Sequence, residues 1–141
     1  KLFFKKTHMN EILALGRSKV EVCIETLMML DSLDMQEKHR ELIVEKCTTA
    51  IENQIVITHG TDTMTKTARA LGAMHFKKTI VLTGAMIPYK FGTSDGLFNI
   101  ASALAYVQTL PHGVYIAMNG RVFLHDKVIK NIETGIFEER K

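Results

Sequence analysis

The sequence predicts an α/β protein built on a mostly parallel sheet, with helices on both faces and a short hairpin near the C-terminus. Three observations carry this reading. Apolar runs of strand length recur at Ile55–Ile57, Lys78–Thr83 and Val114–Met118. Segments of helical length and pattern separate them, and right-handed crossovers then place helices on both sides of the sheet. Asn119-Gly120 is the strongest hairpin signal in the chain, because both residue types accept the positive φ of a type I′ turn.

The elements follow in order. Lys1–Phe4 is an apolar stub that reads as a strand fragment. Thr7 is placed to cap a short helix, Met9–Leu15, stopped by Gly16. Lys19–Glu25 alternates apolar and polar, with Val20, Val22 and Ile24 on one face, and reads as a strand. Asp31–Met35 is a polar turn placed to cap the next helix. That helix is expected over Gln36–Asn53, with Ile43, Cys47 and Ile51 forming one apolar stripe beside Leu42 and Ala50. The strand Ile55–Ile57 stops at Thr58-His59-Gly60, and a helix begins at Asp62 or Thr63 and runs to Leu71-Gly72, with Met64, Ala68 and Leu71 inward. Lys78–Thr83 ends at Gly84-Ala85-Met86. Ile87–Asp95, holding Pro88, Gly92, Thr93 and Ser94, is a loop. A helix then runs over Gly96–Thr109, with Phe98, Ala101, Leu104 or Ala105, and Gln108 along it. After Val114–Met118 and the Asn-Gly turn, Arg121–Leu124 returns as a strand. Asp126–Lys141 is charged, but Val128, Ile129, Ile132, Ile136 and Phe137 remain able to dock, and the last Lys/Arg residues read as a solvated tail.

In open α/β sheets, ligands bind beyond the carboxyl ends of the strands. The turns after Thr58 and Thr83 lie there, and so does Asp31–Met35. The stretch Gln54–Met64 is the most informative of these. It sets a hydroxyl, Thr61, beside a carboxylate, Asp62, where a helix N-terminus adds N–H groups and a positive dipole end. Taken alone, Thr-Asp-Thr before a helix is an ordinary capping sequence, and His59 an ordinary hydrogen-bonded histidine.

Composition bounds the remainder. The chain has 141 residues, 46% of them apolar and 23% charged, which suits one soluble globular domain. The net charge of +3 comes from scattered residues, so no nucleic-acid footprint is present. The two cysteines, Cys23 and Cys47, give neither a disulfide framework nor a zinc motif, and Cys47 falls on the helical stripe as a core residue. The histidines lack H-x-H and H-E-x-x-H spacing, so no metal site is predicted, and the eight methionines read as gap-fillers. No run is long enough to span a membrane, and no secretory signal is visible, so a reducing, cytoplasmic setting is the expectation. Lys1 is not a start residue, and the chain is expected to lack its true N-terminus. Gly60–Thr67 nearly spells a phosphate-binding loop, but Thr65 stands where the second glycine belongs and Asp62 would repel a phosphate. No G-x-G-x-x-G follows a strand, which leaves a dinucleotide site without its fingerprint.

Several ordered motifs carry a resemblance. Asp31-Ser-Leu-Asp-Met35, Ile57-Thr-His-Gly-Thr-Asp-Thr-Met64, Val81-Leu-Thr-Gly-Ala-Met86, Ser94-Asp-Gly-Leu-Phe-Asn99, Val114–Asn119 and Val128-Ile-Lys130 together resemble the amino-terminal domain of the bacterial-type L-asparaginase family. The similarity spans roughly Val20–Phe137, and the chain resembles the short, single-domain relatives of the family's cytoplasmic type I enzymes. It implies a Rossmann- or flavodoxin-like three-layer domain over residues 1–141, with the family's smaller carboxyl-terminal domain absent. It also implies a homo-oligomer without cofactor, acting on a small amide, with no nucleic-acid or membrane partner. Two departures stand out. The family's first threonine signature, a T-G-G-T-I turn carrying the usual nucleophile, is missing, and the abrupt join after Phe4 suggests that a mobile loop has been dropped before Thr7. The mass of the intact protein tests this. At the substrate turn, Leu33 stands where many members carry Gln.

The resemblance assigns Thr61, Asp62 and Lys130 to one hydrogen-bonded catalytic group. It assigns Ser32, Leu33, Gly60 and Ala85 to substrate binding, with Ser32 on the charged amino-acid end and the backbone at Gly84–Ala85 near the reacting amide. A threonine hydroxyl is a poor nucleophile without an adjacent base. The implied reaction is hydrolysis of asparagine to aspartate and ammonia. The alternatives are hydrolysis of another small amide, such as glutamine, and a non-catalytic ligand-binding or interaction module that kept the fold.

Overall fold

The computed structural model describes residues 6–87 and 94–141. The expectations for Lys1–Phe4, for the join before Thr7 and for Pro88, Gly92 and Thr93 in the Ile87–Asp95 loop lie outside the described residues. The elements are α1 (Lys6–Leu15), α2 (Glu37–Thr49), β1 (Gln54–Thr58), α3 (Met64–Gly72), β2 (Thr79–Thr83), α4 (Gly96–Thr109), β3 (Gly113–Met118), β4 (Arg121–Leu124), β5 (Val128–Lys130) and β6 (Phe137–Glu139).

The main sheet has the order β1-β2-β3-β4. β1, β2 and β3 are parallel, in the register Ile55↔Ile80↔Val114. β2 is buried along its whole length, which is why it reads as a continuous apolar run rather than as an alternation. β4 returns antiparallel on β3 through Asn119 (φ 57°) and Gly120 (φ 72°), the two left-handed residues that the hairpin needs. β5 and β6 form a separate antiparallel pair, with Lys130 opposite Phe137.

The sheet lies between two apolar layers. On one face Ile43 and Cys47 of α2 and Met64, Ala68 and Leu71 of α3 pack over Ile80, Leu82, Ile116 and Phe123, and Val128 and Phe137 join this cluster. On the other, Ala103 and Val107 of α4 cover Val81 and Ala117. Each fully buried Ile or Leu side chain contributes about 1.5–3 kcal/mol, so this matching of strand alternation to helix stripes holds the layers together.

The structure corrects four expectations. Lys19–Glu25 is not a strand. Alternation supplies a face, but a strand needs a partner edge. Here no ladder pairs Val20–Leu30 with β1; the two segments line a cavity of about 520 Å³ together with Cys47 and Val107, while Leu27 and Met28 pack on the core. The helix expected to reach Asn53 ends at Thr49, so Ile51 falls beyond the stripe and is exposed. Lys78 Nζ ends it by donating to the Cys47 and Ala50 carbonyls, both at 2.6 Å. The buried face of α4 is Gly96, Asn99, Ile100, Ala103 and Val107, while Phe98 faces out. Of the five apolar residues near the C-terminus, Val128 and Phe137 dock fully, while Ile129, Ile132 and Ile136 stay exposed. The last Lys/Arg residues, Arg140 and Lys141, are exposed beyond the end of β6, with the Arg140 N–H bonded to the Lys127 carbonyl.

Candidate active site

The turns at the carboxyl ends of β1 and β2, together with the turn before α2, form one assembly. Asp31 accepts the Leu33 N–H at 3.2 Å and so starts the single 3-10 turn Ser32–Asp34. Ser32 then binds the next turn twice. Its Oγ accepts the Asp62 N–H at 3.1 Å, and its carbonyl accepts from Thr63 Oγ1 at 2.9 Å. A Cβ at Gly60 would lie 2.6 Å from Ser32 Cβ, so the approach of these two turns requires glycine there. Gly84 meets the other side of the same turn: a Cβ on it would fall on the His59 carbonyl oxygen.

The capping reading of Thr61-Asp62-Thr63 does not describe this turn. Thr63 is the N-cap of α3 by position, but its side chain makes no capping bond. Asp62 and Thr61 point instead to a residue distant in sequence. Lys130 Nζ lies 2.9 Å from Thr61 Oγ1 and 2.8 Å from Asp62 Oδ1. Thr61 is buried, the Lys130 side chain is 14% exposed and the Asp62 side chain 46% exposed, so the cluster opens to solvent on its carboxylate side. One lysine nitrogen therefore lies within hydrogen-bond reach of both a hydroxyl and a carboxylate, the reach that a proton transfer between side chains needs.

His59 is structural in its bonding, as its local context suggests. Its Nδ1 lies 2.7 Å from the Gly60 carbonyl and its Nε2 2.8 Å from Thr67 Oγ1. A carbonyl only accepts, so Nδ1 carries the proton and Nε2 accepts from the threonine. Burial lowers the imidazole pKa, the Gly60 carbonyl opposes that shift, and the Arg40 charge adds to it. The ring stays neutral and locks β1 to α3.

Among the other residues singled out from sequence, Ser32 is buried and Leu33 is 73% exposed. Ala85 is buried at the turn after β2. A polar network that sequence reasoning missed holds that turn. Asp95 accepts the Met86 and Ile87 N–H groups, each at 3.0 Å. Asn99, one helical turn later, gives its amide hydrogens to the Gly84 carbonyl at 2.8 Å and to Asp95 Oδ2 at 3.0 Å. The i, i+4 spacing of Asp95 and Asn99 at a helix start was the available signal. Among the described residues, no group of three His, Cys, Asp or Glu side chains could hold a metal ion. Nor is any helix long and apolar enough to cross a membrane.

A family model described as "Asparaginase, N-terminal" matches residues 4–136. A glutaminase-asparaginase of Acinetobacter glutaminasificans is 34% identical over 128 residues, covering 86% of this chain and 38% of the relative. The L-asparaginase 1 of Escherichia coli K12 is 33% identical over 107 residues, covering 72% of this chain and 32% of the relative. The solved structure of L-asparaginase I from Vibrio cholerae superposes with a TM-score of 0.83 at 25% identity, over 96% of this chain and 44% of that one. The chain thus spans less than half the length of these relatives.

Proposed function

This chain belongs to the asparaginase family through its amino-terminal domain, and from that membership we propose that it hydrolyses the side-chain amide of L-asparagine to aspartate and ammonia. The observation that carries the proposal is the single Lys130 nitrogen within hydrogen-bond reach of both Thr61 Oγ1 and Asp62 Oδ1. In the proposed reaction Thr61 and Lys130 form the proton path. Once Lys130 has given its proton to solvent on the open Asp62 side, its amine takes the Thr61 hydroxyl proton, Thr61 takes one from a water, and the water oxygen bonds to the amide carbon. The proton then passes to the leaving nitrogen, the C–N bond breaks and ammonia departs. Asp62 holds the lysine in place. The backbone of the Gly84–Ala85 turn is assigned to the oxygen on which negative charge develops, since preorganised N–H donors lower such barriers.

The Asp62 N–H bond uses only an acceptor position of Ser32, which leaves the serine proton for the substrate's carboxylate. Leu33, 73% exposed beside Ser32, is read as a substrate contact of the same turn. The reaction draws on side chains and backbone alone. The protein is read as cytoplasmic, with this asparaginase-type domain working in a homo-oligomer. Glutamine is a second substrate to test, because the Acinetobacter relative is named for both amides.

Ammonia release from L-asparagine and L-glutamine by the full chain, with Thr61→Ala alongside, is the test. Turnover that disappears in the variant is the expected result. No turnover in the parent chain, with aspartate still binding, would replace the hydrolase with a ligand-binding module of the same fold.

A further inference from the structure

Lys130 is carried by a short pair of strands. β5 and β6 have three residues each and, among the described residues, pair only with one another. A lone two-stranded ribbon is marginal in water. Val128 and Phe137 sink into the core, but apolar burial is non-directional and does not by itself fix where a lysine nitrogen stands. A directional contact lies directly across from Lys130. Phe137, its register partner, donates its backbone N–H to Asn119 Oδ1 at 2.8 Å. Asn119 is the first residue of the tight turn between β3 and β4.

We propose that Asn119 is a positioning residue: its side-chain carbonyl ties the β5–β6 pair to the main sheet at Phe137 and so sets the Lys130 nitrogen against Thr61 and Asp62. The inference rests on the role given to Lys130 above, but the tie itself does not depend on turnover. Asn119 then has two separable jobs. The left-handed backbone can be met by Asn, Asp or Gly. The acceptor can be met by Asn or Asp only. Asn119→Gly therefore keeps the turn and removes the tie, whereas Asn119→Asp keeps both.

The first readout is independent of catalysis. Trinitrobenzenesulfonate reacts with accessible, uncharged amines, and mass spectrometry reports its rate at each lysine. In the parent chain Lys130 should be slow. In Asn119→Gly its rate should rise about fivefold or more, the change expected for losing one hydrogen bond. Asn119→Asp should restore the slow rate. Lys78, bonded to two carbonyls at the end of α2, serves as the internal control and should be unchanged in all three proteins. Lys130 rates equal in all three proteins, or Lys78 rising in step with Lys130, would overturn the proposal.

The second readout is kinetic. Asn119→Gly should lower kcat about tenfold with KM nearly unchanged, and should add no further loss in a Lys130→Met background. Additive losses in that double variant would overturn the positioning role. If the parent chain shows no turnover, the hydrolase reading fails while the labelling result still decides the tie. If Asn119→Gly does not fold, hydrogen exchange in the parent chain decides instead. The Phe137 amide should be as protected as that of Phe123 in the core, and rapid exchange there would refute the tie.

Discussion

Thr61 shows what one hydroxyl contributes at this site. Val has nearly the same shape but cannot exchange a proton, so Thr61→Val should leave the unfolding midpoint close to that of the parent chain. Turnover of asparagine should fall about 100-fold or more, within the usual range for loss of general acid–base catalysis. Thr61→Ser keeps the hydroxyl and should retain most of the rate. His59 contributes stability in a pH-dependent way. Its pKa in the fold lies below the ordinary 6.5, chiefly through burial. The unfolded chain therefore binds a proton first as pH falls. Stability from His59 should be complete above about pH 6.5 and decline below it, down to the depressed pKa. Urea midpoints measured from pH 8 to pH 5 should show this decline, and the decline should be shallower in His59→Gln. At this scale the sequence marked Thr61, Asp62 and Lys130 through their motifs. The local reading of Thr-Asp-Thr as a cap failed because capping is judged from neighbours, and the partner that redirects these side chains is 69 positions away.

Among the elements, those with strong internal signals were legible. β1, β2, β3, α3 and α4 follow from apolar runs and helical patterns, and the β3–β4 turn follows from Asn-Gly. The errors arose where a contact outside the element decides the outcome. Lys19–Glu25 has a strand's alternation without a strand's partner. α2 stops where the Lys78 ammonium reaches its last carbonyls, an interaction that no helix-internal pattern encodes. A cation at a helix C-terminus that fills two orphan carbonyls is stabilising. Lys78→Met should therefore cost about 1–3 kcal/mol in urea unfolding, the range for charged hydrogen bonds. The same variant should leave activity per folded molecule unaltered, because Lys78 lies at the opposite end of the strands from the site. Gly84→Ala should behave differently. The added methyl would press on the His59 carbonyl, a backbone atom that cannot swing away, so both stability and turnover should drop.

Over the whole molecule, the two thiols report on opposite states of the fold. Cys23 is exposed and Cys47 is buried. Burial pushes the Cys47 pKa up to about 11, and the nearby Lys78 charge offsets this only in part. At pH 8 an aromatic disulfide reagent should titrate one thiol quickly in the native protein. The second should react only at the rate of global opening, and both should react at once in urea. The layered architecture was legible because alternation of strands and helices implies it, whereas the division into a four-stranded sheet and a separate two-stranded pair was not. That division depends on long-range docking of Val128 and Phe137, which the sequence marks as able to dock without saying where. The late position of Lys130 also has a consequence during synthesis. A ribosome releases Thr61 and Asp62 long before the lysine that joins them. Until the segment through Phe137 clears the exit tunnel, the nascent chain carries a carboxylate and a hydroxyl with no ammonium between them. On the function proposed here, premature termination before Lys130 would yield a molecule that holds most of its sheet and performs none of its chemistry.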